Sequence, residues 1–76
     1  MRIFNTKTVE EWNNSKKELE KLDYDLYWHE DGKWETYGEN TCLLVRTDYV
    51  TFASKEYCKK HYPETVIVEG AYKHES

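Results

Sequence analysis

Apolar positions at helical spacing mark the N-terminal part of the chain. Residues 2–5, with Ile3 and Phe4 at their centre, predict a short strand, and the pattern then changes to the period of a helix. Thr8 and Glu11 have the S/T-x-x-E form of a capping box, in which the two side chains satisfy free amides at a helix start. We therefore predict a helix over residues 9–22. Its apolar face consists of Val9, Trp12, Leu19 and Leu22.

After this helix, the pattern is that of short strands separated by turns. Residues 41–46 and 49–52 are the clearest strands, because both are rich in β-forming side chains. The dipeptide Thr47-Asp48 between them suits a tight antiparallel turn. Further extended segments are expected at residues 24–28, 34–37 and 65–69.

A second, shorter helix is expected near the C-terminus. Ser54 is a good N-cap for a helix over residues 55–62, and Pro63 ends it. The sequence thus predicts an α+β fold, with a small antiparallel sheet of four to five strands, one longer N-terminal helix and one short helix. We expect a single small domain over residues 1–76, with a loose tail after about residue 70.

The size of the chain restricts its function. A domain of 76 residues keeps much of its surface exposed and has little room for a deep catalytic cleft, so we predict that the protein is not an enzyme. The start of the chain lacks an apolar signal core, and no run approaches the roughly 20 apolar residues of a membrane span. We therefore expect a cytoplasmic protein without a membrane partner.

Negative charge is concentrated in one segment that is also rich in aromatic rings. Residues 23–39 read DYDLYWHEDGKWETYGE, with six carboxylates and one lysine, whereas the whole chain has a net charge of −4. Such a chain has no basic footprint for nucleic acid, and the acidic segment would repel a phosphate backbone. Direct binding of nucleic acid is therefore not expected.

Two cysteines and three histidines are candidate ligands of a zinc ion. Cys58 and His61 lie three positions apart in the predicted short helix, where we expect both side chains to point toward the sheet that carries Cys42. His29 or His74 would complete a Cys₂His₂ site, and we prefer His29 because fixing a mobile tail costs entropy. The alternative is that both thiols only pack in the core.

The order and length of the segments also carry a resemblance. A strand, the helix EEWNNSKKELEKLDY, a tryptophan soon after it, and the segments ENTCLLV, YVTFASKEYCKKHYP and TVIVE follow one another over most of the chain. In the order and length of its segments, this series resembles small uncharacterised proteins of phages and mobile elements in Gram-positive bacteria. Some phage proteins of this type inhibit host defence, including CRISPR nucleases. The resemblance implies a binding protein that acts in the cytoplasm of a bacterial host cell.

The acidic segment is the candidate binding surface. Some of its rings should cover the core, but exposed Trp and Tyr are frequent interface hot spots, and carboxylates around them would steer a basic partner. We expect an anti-CRISPR-type inhibitor that docks into the basic groove of a host nucleic-acid enzyme. The residues expected to act are Asp25, Glu30, Asp31 and Glu35 for steering, and Trp28, Trp34 and Tyr37 for contact.

Two other functions remain open from the sequence. The protein could bind another kind of protein, as a monomer or a small homo-oligomer, without a role in defence. It could also be a nucleotide-binding module of a mobile element that stacks a base on exposed rings.

Overall fold

A computed structural model of the chain describes residues 1–27 and 33–73. These residues confirm the α+β fold, with a five-stranded sheet, a 13-residue helix and a short helix. Short 3₁₀ helices cover Trp34–Thr36 and Gly38–Asn40. The strands and α-helices are β1 (Arg2–Thr6), α1 (Val9–Lys21), β2 (Asp25–Leu26), β3 (Thr41–Val45), β4 (Tyr49–Ser54), α2 (Lys55–His61) and β5 (Ile67–Glu69).

The sheet is mixed, so the prediction of an antiparallel sheet is wrong in this respect. The strand order is β2-β4-β3-β1-β5. The pairs β1–β3 and β3–β4 are antiparallel, whereas β1–β5 and β2–β4 are parallel. Each α-helix connects two strands that run in the same direction, β1 to β2 through α1 and β4 to β5 through α2. Because a helix is the usual crossover between parallel strands, these two connections account for the mixed sheet.

The two helices lie on opposite faces of the sheet. The face toward α1 carries a cluster of buried side chains, Phe4, Trp12, Leu19, Leu26, Leu43, Val45, Val50 and Tyr72. The face toward α2 carries a smaller cluster, Ile3, Cys42, Leu44 and Cys58. Successive residues of β3 alternate between the two clusters, as the pleat of a strand requires.

Both predicted helix starts are confirmed. The hydroxyl of Thr8 accepts a hydrogen bond from the backbone N–H of Glu11 at 3.1 Å, and the hydroxyl of Ser54 accepts one from the backbone N–H of Tyr57 at 3.0 Å. The Glu11 carboxylate accepts from the backbone N–H of Lys7 at 2.8 Å, one residue before the position that a capping box predicts. Local polar side chains therefore define where both helices begin.

Two local predictions are wrong. Residues 34–36 form a 3₁₀ turn instead of an extended segment, because the backbone N–H of Thr36 donates to the carbonyl oxygen of Lys33 at 3.1 Å. The tail is not loose at Tyr72, which is 7% exposed and belongs to the α1-side cluster. Neither α1 nor α2, the α-helices in the described part of the chain, has the length and apolarity needed to span a bilayer.

Candidate binding surface

Eight described residues of the acidic segment are exposed, and we call four of them the acidic aromatic surface. They are Asp25, Tyr27, Glu35 and Tyr37. Three other residues predicted to bind a partner, Trp28, Glu30 and Asp31, lie outside the described residues. The surface is therefore defined by two carboxylates and two rings.

Both rings of this surface contact strand β4. The ring of Tyr27 is 63% exposed and stacks on Tyr49, with 4.9 Å between ring centroids. The ring of Tyr37 is 40% exposed and lies 5.9 Å from the ring of Phe52. Tyr49 and Phe52 are three positions apart on one strand, so their side chains point to opposite faces of the sheet, and β4 contacts Tyr27 through one face and Tyr37 through the other. A rigid strand beneath them limits the entropy that they would lose on binding.

Trp34 has a structural role that the sequence did not indicate. Its indole N–H donates a hydrogen bond to the backbone carbonyl of Thr6 at 2.9 Å, and its own carbonyl accepts one from the hydroxyl of Thr41 at 3.0 Å. The side chain is half-buried and packs against the α1-side cluster. Trp34 therefore holds the acidic segment to the sheet and is poorly placed to act as a free contact residue.

Other residues of the segment also belong to the core. Leu26 is buried, and Tyr24 is half-buried against the same cluster as Trp34. The acidic segment is thus divided between these anchoring side chains and the exposed rings of Tyr27 and Tyr37. Both interpretations of the segment, as core cover and as exposed surface, apply to different residues within it.

Cys42 and Cys58 are free, fully buried thiols in the α2-side cluster. A hydrogen bond to Cys58, together with burial, raises the pKa of Cys42 above its ordinary range. Cys42 is therefore a neutral thiol at neutral pH. A metal ion at this pair would have to displace the proton.

The histidine predicted to share this site faces the other way. His61 is exposed and lies against Tyr57, with 4.2 Å between ring centroids, so the prediction that it points inward with Cys58 is wrong. The helical positions of the two residues differ by three, which places them about 60° apart around the helix axis, and the sheet covers only one of them. Within residues 1–27 and 33–73, no group of three or more His, Cys, Asp or Glu side chains could hold a metal ion. His29 and His74 lie outside the described residues, and zinc binding stays a prediction.

Sequence reasoning missed a second feature, which we call the tyrosine groove. It lies on the α2 side of the sheet, and its volume is about 420 Å³. Its side chains come from three separate parts of the chain, and no sequence motif joins them. The only local signal was the frequency of tyrosine after residue 36. The residues that matter for its chemistry are Tyr37, Arg46, Phe52, Tyr57 and Tyr62.

Comparisons with known proteins leave the function to be argued from these surfaces. The resemblance to phage proteins remains a prediction from the sequence. No protein-family model, curated protein or solved structure matches this chain.

Proposed function

We propose that this chain is a non-catalytic, phage-type inhibitor that binds a basic protein of a bacterial host through the acidic aromatic surface. The observation that carries the proposal is the pairing of exposed rings with exposed carboxylates, Tyr27 with Asp25 and Tyr37 with Glu35. Each pair lies within three positions of the chain. Rings that a folding domain leaves exposed can supply contact area to a partner.

The carboxylates determine what kind of partner fits. Asp25 and Glu35 belong to a segment with a formal charge of −5, so the potential near this segment favours a basic surface. Such attraction raises the rate of encounter and weakens with added salt, because the screening length falls from about 10 Å at 0.1 M to about 3 Å at 1 M. We therefore expect binding that depends strongly on ionic strength.

The favoured partner is an enzyme that normally holds nucleic acid. Such enzymes combine a basic groove with rings or apolar patches that stack bases, and both features complement exposed tyrosines flanked by carboxylates. The sequence resemblance favours a defence nuclease of the CRISPR type within this class.

Charge reversal on the surface tests the proposal. The double variant Asp25→Lys, Glu35→Lys should lose capture of basic proteins from a bacterial lysate, and wild-type capture should fall at high salt. The matched control is Glu18→Lys, Glu20→Lys, which changes the net charge equally on exposed positions of α1. A cleavage assay with a purified RNA-guided nuclease then tests inhibition directly. Capture that is equal for both double variants, or that is unaffected by salt, would refute the proposal.

A further inference from the structure

A half-buried cation, Arg46, lines the tyrosine groove. The guanidinium of Arg46 donates hydrogen bonds to the hydroxyls of Thr51 and Tyr62, and it lies 5.2 Å from the centroid of the Tyr49 ring. Among the described residues, no carboxylate lies within ion-pair distance of Arg46. A guanidinium has five N–H donors, so most of them remain for a ligand. A cation that is partly removed from water and has no carboxylate partner favours an anion beside it.

Aromatic rings form the middle of the groove. Tyr57 is 45% exposed and Tyr37 is 40% exposed, and each lies against a second ring, Tyr57 against His61 and Tyr37 against Phe52. Exposed rings that are held by a second ring offer a flat face for stacking at little cost in side-chain entropy. The base of a nucleotide has a π face that stacks on such rings.

A second cation lies beyond the rings. An adjoining cavity shares Tyr37 and Ser54 with the groove and is also lined by Lys55 and Lys59. The Lys55 ammonium already binds the Glu69 carboxylate at 2.9 Å, whereas Lys59 has no carboxylate within ion-pair distance among the described residues. The groove thus combines aromatic side chains with the Arg46 guanidinium, and Lys59 adds a positive charge in the adjoining cavity.

These features select an aromatic ligand that carries negative charge. We propose that the tyrosine groove binds a nucleoside monophosphate, with its base against Tyr37 and Tyr57 and its phosphate on Arg46. The volume of about 420 Å³ falls within the roughly 300–1,000 Å³ that is usual for small-molecule sites. A long single strand fits less well, because the chain has a net charge of −4 and Glu56 lines the adjoining cavity. This site goes beyond the proposed function, since Arg46 and Tyr57 lie outside the acidic aromatic surface and only Tyr37 belongs to both.

Titration calorimetry with AMP, adenosine and inorganic phosphate tests the site. AMP should bind saturably in the millimolar range or below, and adenosine and phosphate should each bind at least about tenfold more weakly, since each lacks one of the two interactions. Arg46→Gln and Tyr57→Ala should each weaken AMP binding about tenfold or more. Tyr57→Ala is the safer variant, because the ring is exposed and its removal leaves Thr51 and Tyr62 with their Arg46 bonds.

Two controls separate the groove from general effects. Lys17→Gln removes an exposed positive charge on α1, and Val66→Ala shortens an exposed apolar side chain outside the groove, so both should bind AMP like the wild type. Circular dichroism establishes that each variant is folded. The site is refuted by a lack of saturable AMP binding, by unchanged binding in Tyr57→Ala and Arg46→Gln, or by tighter binding of a single-stranded oligonucleotide or an acidic peptide than of AMP. Any of these results would leave salt-dependent capture of a basic protein unaffected.

Discussion

The hydroxyl of Ser15 connects helix α1 to Tyr72 near the other end of the chain. It donates a hydrogen bond to the carbonyl oxygen of Glu11 at 2.7 Å and accepts one from the backbone N–H of Tyr72 at 2.8 Å. Ser15 is fully buried, and the Tyr72 ring lies 5.2 Å from the ring of Phe4. One buried hydroxyl therefore fixes the segment that places Tyr72 in the core.

Removing this hydroxyl should destabilise the fold. Ser15→Ala leaves the buried N–H of Tyr72 without its acceptor, so we expect the free energy of unfolding to fall by about 1–3 kcal/mol. Urea denaturation measures the change. Asn14→Ala is the control, because Asn14 is exposed on the same helix and its replacement should change stability by no more than about 0.5 kcal/mol. Equal stability of the two variants would mean that the Ser15–Tyr72 bond contributes nothing.

Tyr72 should also make the fold sensitive to alkali. Burial, followed by the nearby Tyr24 hydroxyl, raises the pKa of Tyr72 above its ordinary value. Below about pH 10 both the folded and unfolded chains keep this proton. At higher pH the unfolded chain loses it first, so stability falls as pH rises toward the folded pKa. Tyr72→Phe should remove this part of the alkaline loss.

Urea denaturation at several pH values between about 8 and 11 measures the effect. The variant Tyr27→Phe removes an exposed hydroxyl and serves as the control. The slope of stability against pH should be smaller for Tyr72→Phe than for the wild type or the control. If all three slopes agree, Tyr72 does not contribute to the alkaline loss.

The sequence predicted those elements whose signals are local. The capping residues Thr8 and Ser54 sit at the helix starts, and the turn Thr47-Asp48 joins the antiparallel strands β3 and β4. Each of these features depends on side chains within a few positions of one another. Local chemistry is therefore sufficient to place α1, α2 and the central hairpin.

Features that depend on distant contacts could not be read in the same way. The parallel pair β1–β5 forms between residues 64 positions apart, and the bond from Trp34 to Thr6 spans 28 positions. The groove around Arg46 likewise combines rings from three parts of the chain. The two strand-helix-strand connections did contain a signal that the joined strands run in the same direction, because a helix is a common crossover between parallel strands. They did not indicate which strands pair, since the parallel pairs are β1–β5 and β2–β4.

The cysteine pair should be unreactive in the folded protein. Cys42 and Cys58 are both fully buried, and Cys42 is held as a neutral thiol, whereas the thiolate is the reactive form. A thiol reagent at neutral pH should therefore modify neither cysteine in native protein and both cysteines in denaturant. The absorbance of the group released from the reagent gives the number of thiols that have reacted. Rapid reaction of either thiol under native conditions would contradict their burial.

The zinc site predicted from Cys42, Cys58, His29 and His61 is tested by the metal content and the thermal stability of the protein. Protein purified without chelator should contain about one zinc per chain, and EDTA should lower its melting temperature, because the unfolded chain offers no assembled site. Cys58→Ser should have the same effect as EDTA. His61→Ala tests whether His61 is a ligand. Because His61 is exposed, its replacement should leave the zinc content unchanged if other residues bind the ion. Protein that contains no metal and is stable in EDTA would leave the thiols as core residues.

Asp23 occupies a helix-end position that favours glycine. Its φ is 63°, in the left-handed region, and its N–H donates to the carbonyl oxygen of Glu20 at 3.1 Å. The N–H of Tyr24 donates to the carbonyl oxygen of Leu19 at 3.1 Å. These two bonds form a Schellman motif with Asp23 at the position where glycine is most common. An aspartate there also places negative charge at the negative end of the helix dipole.

Asp23→Gly should therefore stabilise the protein by about 1 kcal/mol, because it relieves the left-handed backbone and removes the unfavourable charge. Asp23→Asn keeps a side chain that tolerates this conformation and removes only the charge, so its gain should be a fraction of that for glycine. Urea denaturation of both variants separates the two contributions. A loss of stability in Asp23→Gly would show that the carboxylate makes a stabilising interaction that outweighs them.

A residue that lowers stability at a helix end is expected where charge serves another purpose. Asp23 begins the acidic segment, and its carboxylate is exposed two positions before Asp25. If this segment steers a basic partner, both Asp23→Gly and Asp23→Asn should reduce salt-dependent capture of that partner while the protein becomes more stable. Glu20→Gln removes an equal charge from the exposed side of α1 and should leave capture unchanged. Capture that rises with stability in both Asp23 variants would instead mean that order in the segment, and not its charge, limits binding.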